Sequence, residues 1–500
     1  MSWPTLNTTP HAVPRLRLRL DMNRMRRATL PGAVQIALLA ALLCAAYLQA
    51  SISEYVFGVT RTGRFGESNS ARFVVELLVV VNFVWAACTE RLRLAPGSIW
   101  FLAYMCWSLL SGLAAGSDPG EWMYAILFCR YTFYSFLVYT VAWNLRFSPS
   151  QVRALIRTVA TLFILQIFAT LYKVVVMADR TEWRVGTITM QGGILGTVFP
   201  LVALGASMGY YFHVRRSLWI LLVGFSFGLV GFASGKRAIY FAMPVFFLLN
   251  ALLFLALNRY RLTIPLRGRF FAHIGACALL TAPAALYGMR NSDLGRTRNA
   301  SSSVSGFLLA AVDFARSYEM ADGPRTGATG RTTASLRVLE WLMITSPREA
   351  LLGRGPMSFF GSIYRPVRPG GFGELGIAYG IVGWSHTCIS IGIPGVMFFG
   401  LAYGSVIRSL WRAAPMCRDS SYRAFVLFVG LSGCLTLLFE YFFYGSTMAG
   451  IGVISFLVLL AAGVSVSPRG DWPLESGTAV SYRSRRLAPV RKIDDANPRN

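Results

Sequence analysis

Long apolar runs recur along almost the whole chain, and they constrain the fold more than any other feature. About twelve runs each contain roughly 18 to 22 mostly apolar residues, enough for a helix to cross ~30 Å of hydrocarbon. Within a bilayer each run must satisfy its own backbone hydrogen bonds, and a helix does so. Only 14% of the 500 residues are charged and 55% are hydrophobic, which excludes a soluble multidomain enzyme and a disordered chain. The sequence therefore predicts an all-α integral membrane protein.

The runs divide the chain into tails, helices and one large loop. Spans are predicted near 31–51, 73–89, 98–115, 122–145, 156–176, 192–211, 217–233, 238–257, 271–287, 388–406, 424–443 and 448–466. The resulting organisation is a basic tail (1–30), nine transmembrane helices (31–287), a hydrophilic loop (288–387), three transmembrane helices (388–466) and a polar, disordered tail (467–500).

Arginine supplies most of the net charge of +26. A strongly basic soluble domain would suggest nucleic acid as a partner. Here the arginines concentrate in the tails and in short loops on one predicted side, as at Arg215-Arg216, which follows the positive-inside rule. We therefore predict that both termini are cytoplasmic, that the large loop lies outside, and that no nucleic acid is bound.

The large loop contains two stretches with helical spacing of apolar residues. One is centred on Phe307 and the other contains Leu336, Leu339 and Met343 beside Trp341. These patterns predict amphipathic helices that lie on the outer membrane face or cap a cavity. The Gly/Thr/Arg-rich stretch 320–332 between them is predicted to be a loop.

Four charged residues interrupt the outer halves of predicted spans: Arg130, Glu76, Lys173 and Glu440. Charges at membrane depth are costly unless they are paired or line a polar cavity. One interpretation is a structural ion pair of Arg130 with Glu76 or Glu440, with the remaining charges snorkelling to the interface. The other is a polar cavity that opens outward.

Four further residues on the predicted outer side suggest chemistry. His386 is the one histidine of four that falls there, and an imidazole at a water–membrane boundary can act as a general base. Arg184 precedes the sixth span, and Lys236-Arg237 occupies the short turn between the seventh and eighth. Fixed guanidinium groups at this surface suit a diphosphate.

Several expected motifs are missing from the sequence. It contains no Walker A motif for ATP, no DxD or HxxxH on the outer side for a metal, and no exposed GxSxG. The eight cysteines form no CxxC and no cluster in an aqueous segment, so neither a disulfide framework nor a zinc site is predicted. No internal repeat, which many transporters have, is evident.

Four stretches on the predicted outer side form a pattern when they are taken in order. They are 184–201 (RVGTITMQGGILGTVFPL), 234–240 (SGKRAIY), 337–356 (RVLEWLMITSPREALLGRGP) and 385–400 (SHTCISIGIPGVMFFG). Together they resemble the bacterial O-antigen ligase/polymerase family of membrane glycosyltransferases, and the resemblance covers roughly residues 180–400.

This resemblance implies a function at the periplasmic face of the bacterial inner membrane. The donor would be a glycan on undecaprenyl pyrophosphate, and the acceptor a glycan or lipid A-core, with neither metal nor nucleotide cofactor. His386 would take the proton from the acceptor hydroxyl, while Arg184, Arg237 and Lys236 would hold the pyrophosphate. A chain-length regulator or other assembly proteins fit as partners.

Four more residues are candidates for glycan or phosphate contacts: Arg130, Arg337, Arg354 and Glu440. Surface charge on a helix explains Arg337 and Arg354 equally well. The alternative function is a transporter or flippase of polysaccharide or lipid-linked glycan, which twelve spans with intramembrane charges also suit. Ligase, polymerase and protein O-oligosaccharyltransferase activities remain open within the first interpretation, because they share a donor and differ in acceptor.

Overall fold

The protein is all-α over the part that the structure, a computed structural model, describes, apart from one short ladder. The described residues are 22–52, 69–90, 92–115, 119–176, 186–187, 195–233, 238–258, 268–291, 309, 312–313, 322–323, 328–356, 382–417, 420–444 and 452–467. In the ladder, Asp322–Gly323 (β1) pairs antiparallel with Ala328–Thr329 (β2).

Fifteen α-helices are described in these ranges. They are α1 (Met22–Tyr47), α2 (Gln49–Ser51), α3 (Asn69–Thr89), α4 (Ser98–Ala115), α5 (Pro119–Asn144), α6 (Pro149–Val175), α7 (Leu195–His213), α8 (Leu218–Ala233), α9 (Ala238–Asn258), α10 (Arg269–Asn291), α11 (Arg331–Ile344), α12 (Pro347–Leu352), α13 (Gly383–Ala413), α14 (Ser421–Phe439) and α15 (Gly452–Val466). A 3-10 turn (Ala414–Cys417) follows α13, and a π-helical turn (Glu440–Tyr444) extends α14.

The long helices coincide with the apolar runs of the sequence. Each of the twelve runs overlaps one helix of at least 15 residues, and for 98–115 the two ranges are identical. Among the described residues, five helical segments are long and apolar enough to cross a membrane, and five more are apolar but shorter. The five long segments are Ala71–Thr89, Ser98–Ala115, Pro149–Lys173, Gly383–Cys417 and Ser421–Phe443. The all-α membrane class predicted from the sequence is confirmed.

Small residues allow the central helices to pack closely. A Cβ on Gly463 of α15 would lie 2.6 Å from Cβ of Ala142 in α5, and one on Gly430 of α14 would lie 3.2 Å from Cα of Ala462. In lipid the hydrophobic effect does not drive helices together. Close van der Waals packing at small residues stabilises their association instead. Helix α8 approaches α7 closely at Gly224, where a Cβ would lie 2.7 Å from that of Ser207.

The two ends of the bundle differ. At one end the connections are short, as between α5 and α6, where Ser148 and Gln151 form a capping box around Pro149. At the other end α10 stops at Asn291 and α13 starts, and we call this the loop end. The helices α11 and α12 of the connecting segment pack against α13 there, so the loop end positions the candidate site.

Candidate functional site at the loop end

His386 lies buried in the first turn of α13. The helix begins at Gly383, so His386 is part of it, although the sequence placed this residue just before the tenth span. The His386 peptide N–H donates to the Val382 carbonyl at 3.0 Å. Its imidazole is 6% exposed and stacks on the Phe128 ring of α5, with centroids 5.7 Å apart and planes inclined by 29°. The ring is therefore held in one orientation and shielded from bulk water.

The helix that carries His386 is broken six residues further on. Gly392 has φ 77° and ψ −179°, which no helical residue adopts. Pro394 follows and has no N–H to donate to the carbonyl four residues before it. Residues 383–391 therefore form a half-helix whose last carbonyl groups lack helical partners, a situation tolerated at membrane depth only where other groups satisfy them.

Three groups from neighbouring elements satisfy three consecutive carbonyls, those of residues 389–391. The peptide N–H of Arg354 donates to the first at 2.7 Å. The Ser111 hydroxyl of α4 is shared between the second, at 3.1 Å, and the nearer Leu352 carbonyl, and the Trp107 indole N–H donates to the third at 2.8 Å. The half-helix is thus fixed by α4 and by the residues that follow α12.

Two glycine-rich segments interlock at this break. Gly353, at the end of α12, has φ 71°, and a Cβ there would lie 2.5 Å from the carbonyl carbon of Ser390. A Cβ on Gly392 would in turn meet the Leu351 carbonyl oxygen. Gly355 also has a positive φ of 99°. The two backbones touch directly, which only glycine permits in these conformations.

Helix α11 covers another side of the half-helix. The hydroxyl oxygens of Ser335 and Ser385 are 3.4 Å apart. Beside them is a small apolar cluster that consists of Ala334, Val338 and Trp341 from α11 and Cys388 and Ile389 from α13. The turn that bears His386 therefore lies directly under a helix of the large loop.

A buried carboxylate lies close to the same turn. Glu440 is 2% exposed in the π-helical turn, and one of its oxygens accepts no hydrogen bond from a described residue. The next residue, Tyr441, packs on Gly383, where a Cβ would lie 2.7 Å from Cδ2 of the tyrosine ring. Arg331, the first residue of α11, is near enough to interact electrostatically with Glu440. Such π-turns recur at functional sites.

Arg331 was not predicted from the sequence. It falls in the 320–332 stretch predicted to be a loop, and its neighbour Glu440 is more than 100 residues away in the chain. The one available signal was that an amphipathic helix had to begin close to this point.

Arg130 forms an ion pair with a neighbouring helix. Its Nη1 lies 3.7 Å from Oε1 of Glu76, and the Tyr134 hydroxyl donates to Oε2 of the same carboxylate at 3.2 Å. Of the two predicted ion pairs, the one with Glu76 is present.

Arg354 and Arg337 both belong to the loop segment that packs on α13. The Arg354 guanidinium carbon lies 5.5 Å from the centre of the Trp341 ring, and its Nε is 3.8 Å from a Glu349 carboxylate oxygen. These contacts, together with the hydrogen bond from its peptide N–H to the Ile389 carbonyl, give Arg354 a structural role. Arg337 is half-buried on α11, one residue before the buried Val338.

The three predicted pyrophosphate ligands, Arg184, Lys236 and Arg237, lie outside the described residues. Close to the first of them in the sequence, the turn at Gly186 and Thr187 is described. It is bound by side chains from the loop end of α6: Thr187 N–H donates to Gln166 Oε1 at 2.7 Å, and Gly186 N–H donates to a threonine hydroxyl at 2.9 Å. The Lys173 ammonium donates to the Gly186 carbonyl at 2.5 Å. Lys173, one of the four charges in the outer halves of predicted spans, thus anchors this turn.

No model of a protein family matches the chain, and no curated protein matches it either. Within the described part of the chain, no group of three or more His, Cys, Asp or Glu side chains could hold a metal ion. All eight cysteines are free thiols. The arrangement at the loop end is therefore one shielded imidazole, one buried carboxylate with an arginine near it, and two interlocked backbones.

Proposed function

We propose that this protein is a membrane glycosyltransferase that moves a glycan from undecaprenyl pyrophosphate to a hydroxyl acceptor at the outer membrane face. In this proposal the twelve long helices cross the bacterial inner membrane and both termini are cytoplasmic. The loop end is then periplasmic. The reaction is O-antigen ligation or O-antigen or exopolysaccharide polymerisation, and the chain-length regulators and assembly proteins implied by the resemblance would act at this face.

One observation carries the proposal. Two of the four stretches that resemble the family, 337–356 and 385–400, are separated in the sequence but interlock in space. Gly353 of the first stretch and Gly392, the glycine that breaks the helix in the second, both have positive φ at their contact, while Gly355 of the first stretch packs on Ala115 of α4. A sequence pattern that merely marked unrelated loops would not require this mutual fit. The stretches that carry the resemblance therefore include the residues that contact each other at the break in α13, and His386 lies in the second of these stretches.

The proposed chemistry needs one base and several cations. The acceptor oxygen attacks the anomeric carbon of the donor sugar while His386 takes the hydroxyl proton. The glycosidic carbon–oxygen bond to pyrophosphate breaks, and the lipid pyrophosphate leaves with the bonding electron pair. Arg184, Lys236 and Arg237 are proposed to stabilise the charge that develops there.

The test replaces His386 by glutamine, which keeps a polar side chain of similar size but cannot act as a base. His213→Gln is the matched control, because His213 is also buried in an apolar helix, 3% exposed, but at the opposite end. We expect His386→Gln to lower glycan transfer by about 10²–10⁴-fold, the usual contribution of a general base. Membrane abundance of both variants is measured in parallel.

The surface-glycan gel of a native-host strain then separates the alternatives. Bare lipid A-core with polymer on the carrier lipid indicates a ligase, whereas core that bears a single repeat indicates a polymerase. A wild-type ladder for His386→Gln at normal abundance would contradict the proposal and favour a transporter, which needs no base.

A further inference from the structure

An apolar cavity of about 440 Å³ lies between α6, α7, α8, α14 and α15, away from His386. Its lining extends along α6 from Val152 to Ile164. Twelve residues at 1.5 Å per residue correspond to about 18 Å, slightly more than one leaflet of a ~30 Å hydrocarbon core. The cavity begins at the short-connection end of the bundle and has the dimensions and polarity of an acyl-chain site.

Basic and aromatic residues surround the mouth of this cavity. Arg157 and Tyr210 line it, and Arg157 and Arg215 both lie close enough to the Tyr210 hydroxyl to interact with it electrostatically. Trp219, also in the lining, is 73% exposed, as is typical of tryptophan at the level of lipid headgroups. Among the described residues neither Arg157 nor Arg215 forms an ion pair. The mouth therefore combines two exposed guanidinium groups with an amphipathic ring.

We infer that this cavity is a binding site for an anionic glycerophospholipid of the bilayer. One acyl chain occupies the apolar cavity, and the lipid phosphate and its anionic headgroup lie against Arg157 and Arg215, with Trp219 beside them. The occupant must be both apolar along its length and negative at its end, because the lining is apolar and the mouth is positive. The arginine-rich N-terminal stretch of the chain has the wrong charge for this mouth.

The test is a lipid titration of the purified full-length protein, followed by native mass spectrometry. Phosphatidylglycerol and phosphatidylethanolamine with identical acyl chains are compared. We expect tighter binding of phosphatidylglycerol, and we expect Arg157→Gln/Arg215→Gln to weaken it by roughly 5-fold per arginine, about 30-fold together, because each basic residue near the headgroup contributes about 1 kcal/mol. Binding of phosphatidylethanolamine should change much less.

Two controls distinguish a specific lipid-binding site from general electrostatic attraction of anionic lipid to the protein. Arg146→Gln/Arg153→Gln removes the same charge from exposed arginines near the start of α6 that do not line the cavity, and should leave phosphatidylglycerol binding unchanged. Ala206→Phe fills the cavity and should weaken both lipids. Equal binding of the two lipids by the wild type, an equal loss in the control pair, or no effect of Ala206→Phe would each overturn the inference. The site does not depend on the proposed glycosyl transfer.

Discussion

Replacement of Gly392 by alanine tests whether direct backbone contact with α12 fixes the break in α13. Gly392 lies at φ 77° and ψ −179°, a region that essentially only glycine populates. An L-residue held there is destabilised by about 1–3 kcal/mol. The added Cβ would also meet the Leu351 carbonyl oxygen and lie 2.9 Å from the carbonyl oxygen of Ala350.

These are backbone atoms, so relief requires a shift of α12 as a whole. Overpacking of this kind costs about 1–3 kcal/mol, and the two contributions together predict a loss of about 2–6 kcal/mol. That is a large part of the 5–15 kcal/mol by which native proteins are ordinarily stable. The matched control is Gly400→Ala in the same helix, because Gly400 has no neighbouring atom within 4 Å of its Cβ position. There alanine should gain up to about 1 kcal/mol of helix propensity.

The assay is the thermal midpoint of the detergent-solubilised protein, measured as the fraction that stays monodisperse on size exclusion after heating. We expect the midpoint of Gly392→Ala to fall well below that of the wild type and the midpoint of Gly400→Ala to equal or exceed it. A wild-type midpoint for Gly392→Ala would show that α12 does not constrain the break, and the reasoning from contact would be refuted.

Four further substitutions, in three experiments, probe other contacts. Ser111→Ala removes the hydroxyl that satisfies a freed carbonyl of the half-helix, so it should cost about 1–3 kcal/mol; an unchanged thermal midpoint would contradict this. Glu76→Gln and Arg130→Gln should be non-additive by roughly 1 kcal/mol in a double-mutant cycle of thermal stability, whereas independent residues would give additive losses. Gln166→Leu removes the amide that holds the Gly186 turn, and should reduce the surface-glycan ladder at unchanged membrane abundance; a normal ladder would show that this turn does not support the reaction.

The sequence was sufficient to predict the long helices, because the length and apolarity of each run determine such a helix almost alone. The 98–115 run is an example, since membrane-length apolar segments have few conformations available to them. The sequence also narrowed the partner of Arg130 to Glu76 or Glu440. The choice between these two depended on packing, because it required α3 rather than the end of α14 to lie beside α5.

The loop helix α11 shows where periodicity was insufficient. Leu336, Leu339 and Met343 were predicted to form its apolar face, and they are 49%, 45% and 78% exposed. The buried face instead carries Ala334, Val338 and Trp341. Both faces are apolar enough to be buried, and the fit of small residues against α13 selected one of them. The other face is available to the membrane surface, as expected for an amphipathic helix.

The break at Gly392 likewise depends on context. The tenth span was predicted near 388–406 as one uninterrupted run, but the helix begins at Gly383 and is interrupted at Gly392. A glycine can be helical or can adopt this extended positive-φ conformation, and no local sequence rule distinguishes the two. The conformation at Gly392 is set by its contact with α12, because the Leu351 carbonyl oxygen occupies the space that a Cβ would need. Arg331 escaped prediction for the same reason, since its proximity to Glu440 exists only after α11 is docked.

The half-helix explains how a single histidine can be positioned by a loop. In a continuous helix the orientation of His386 would follow from the whole of α13. Because the helix is interrupted, its first nine residues are fixed instead by α4, by the segment after α12 and by α11. Two of these three belong to the large loop between α10 and α13. The position of the imidazole therefore depends on how these loop segments dock on α13 as well as on α4 and on the Phe128 ring of α5. In the proposed reaction, the group that acts as the base would thus be held in place partly by the large loop.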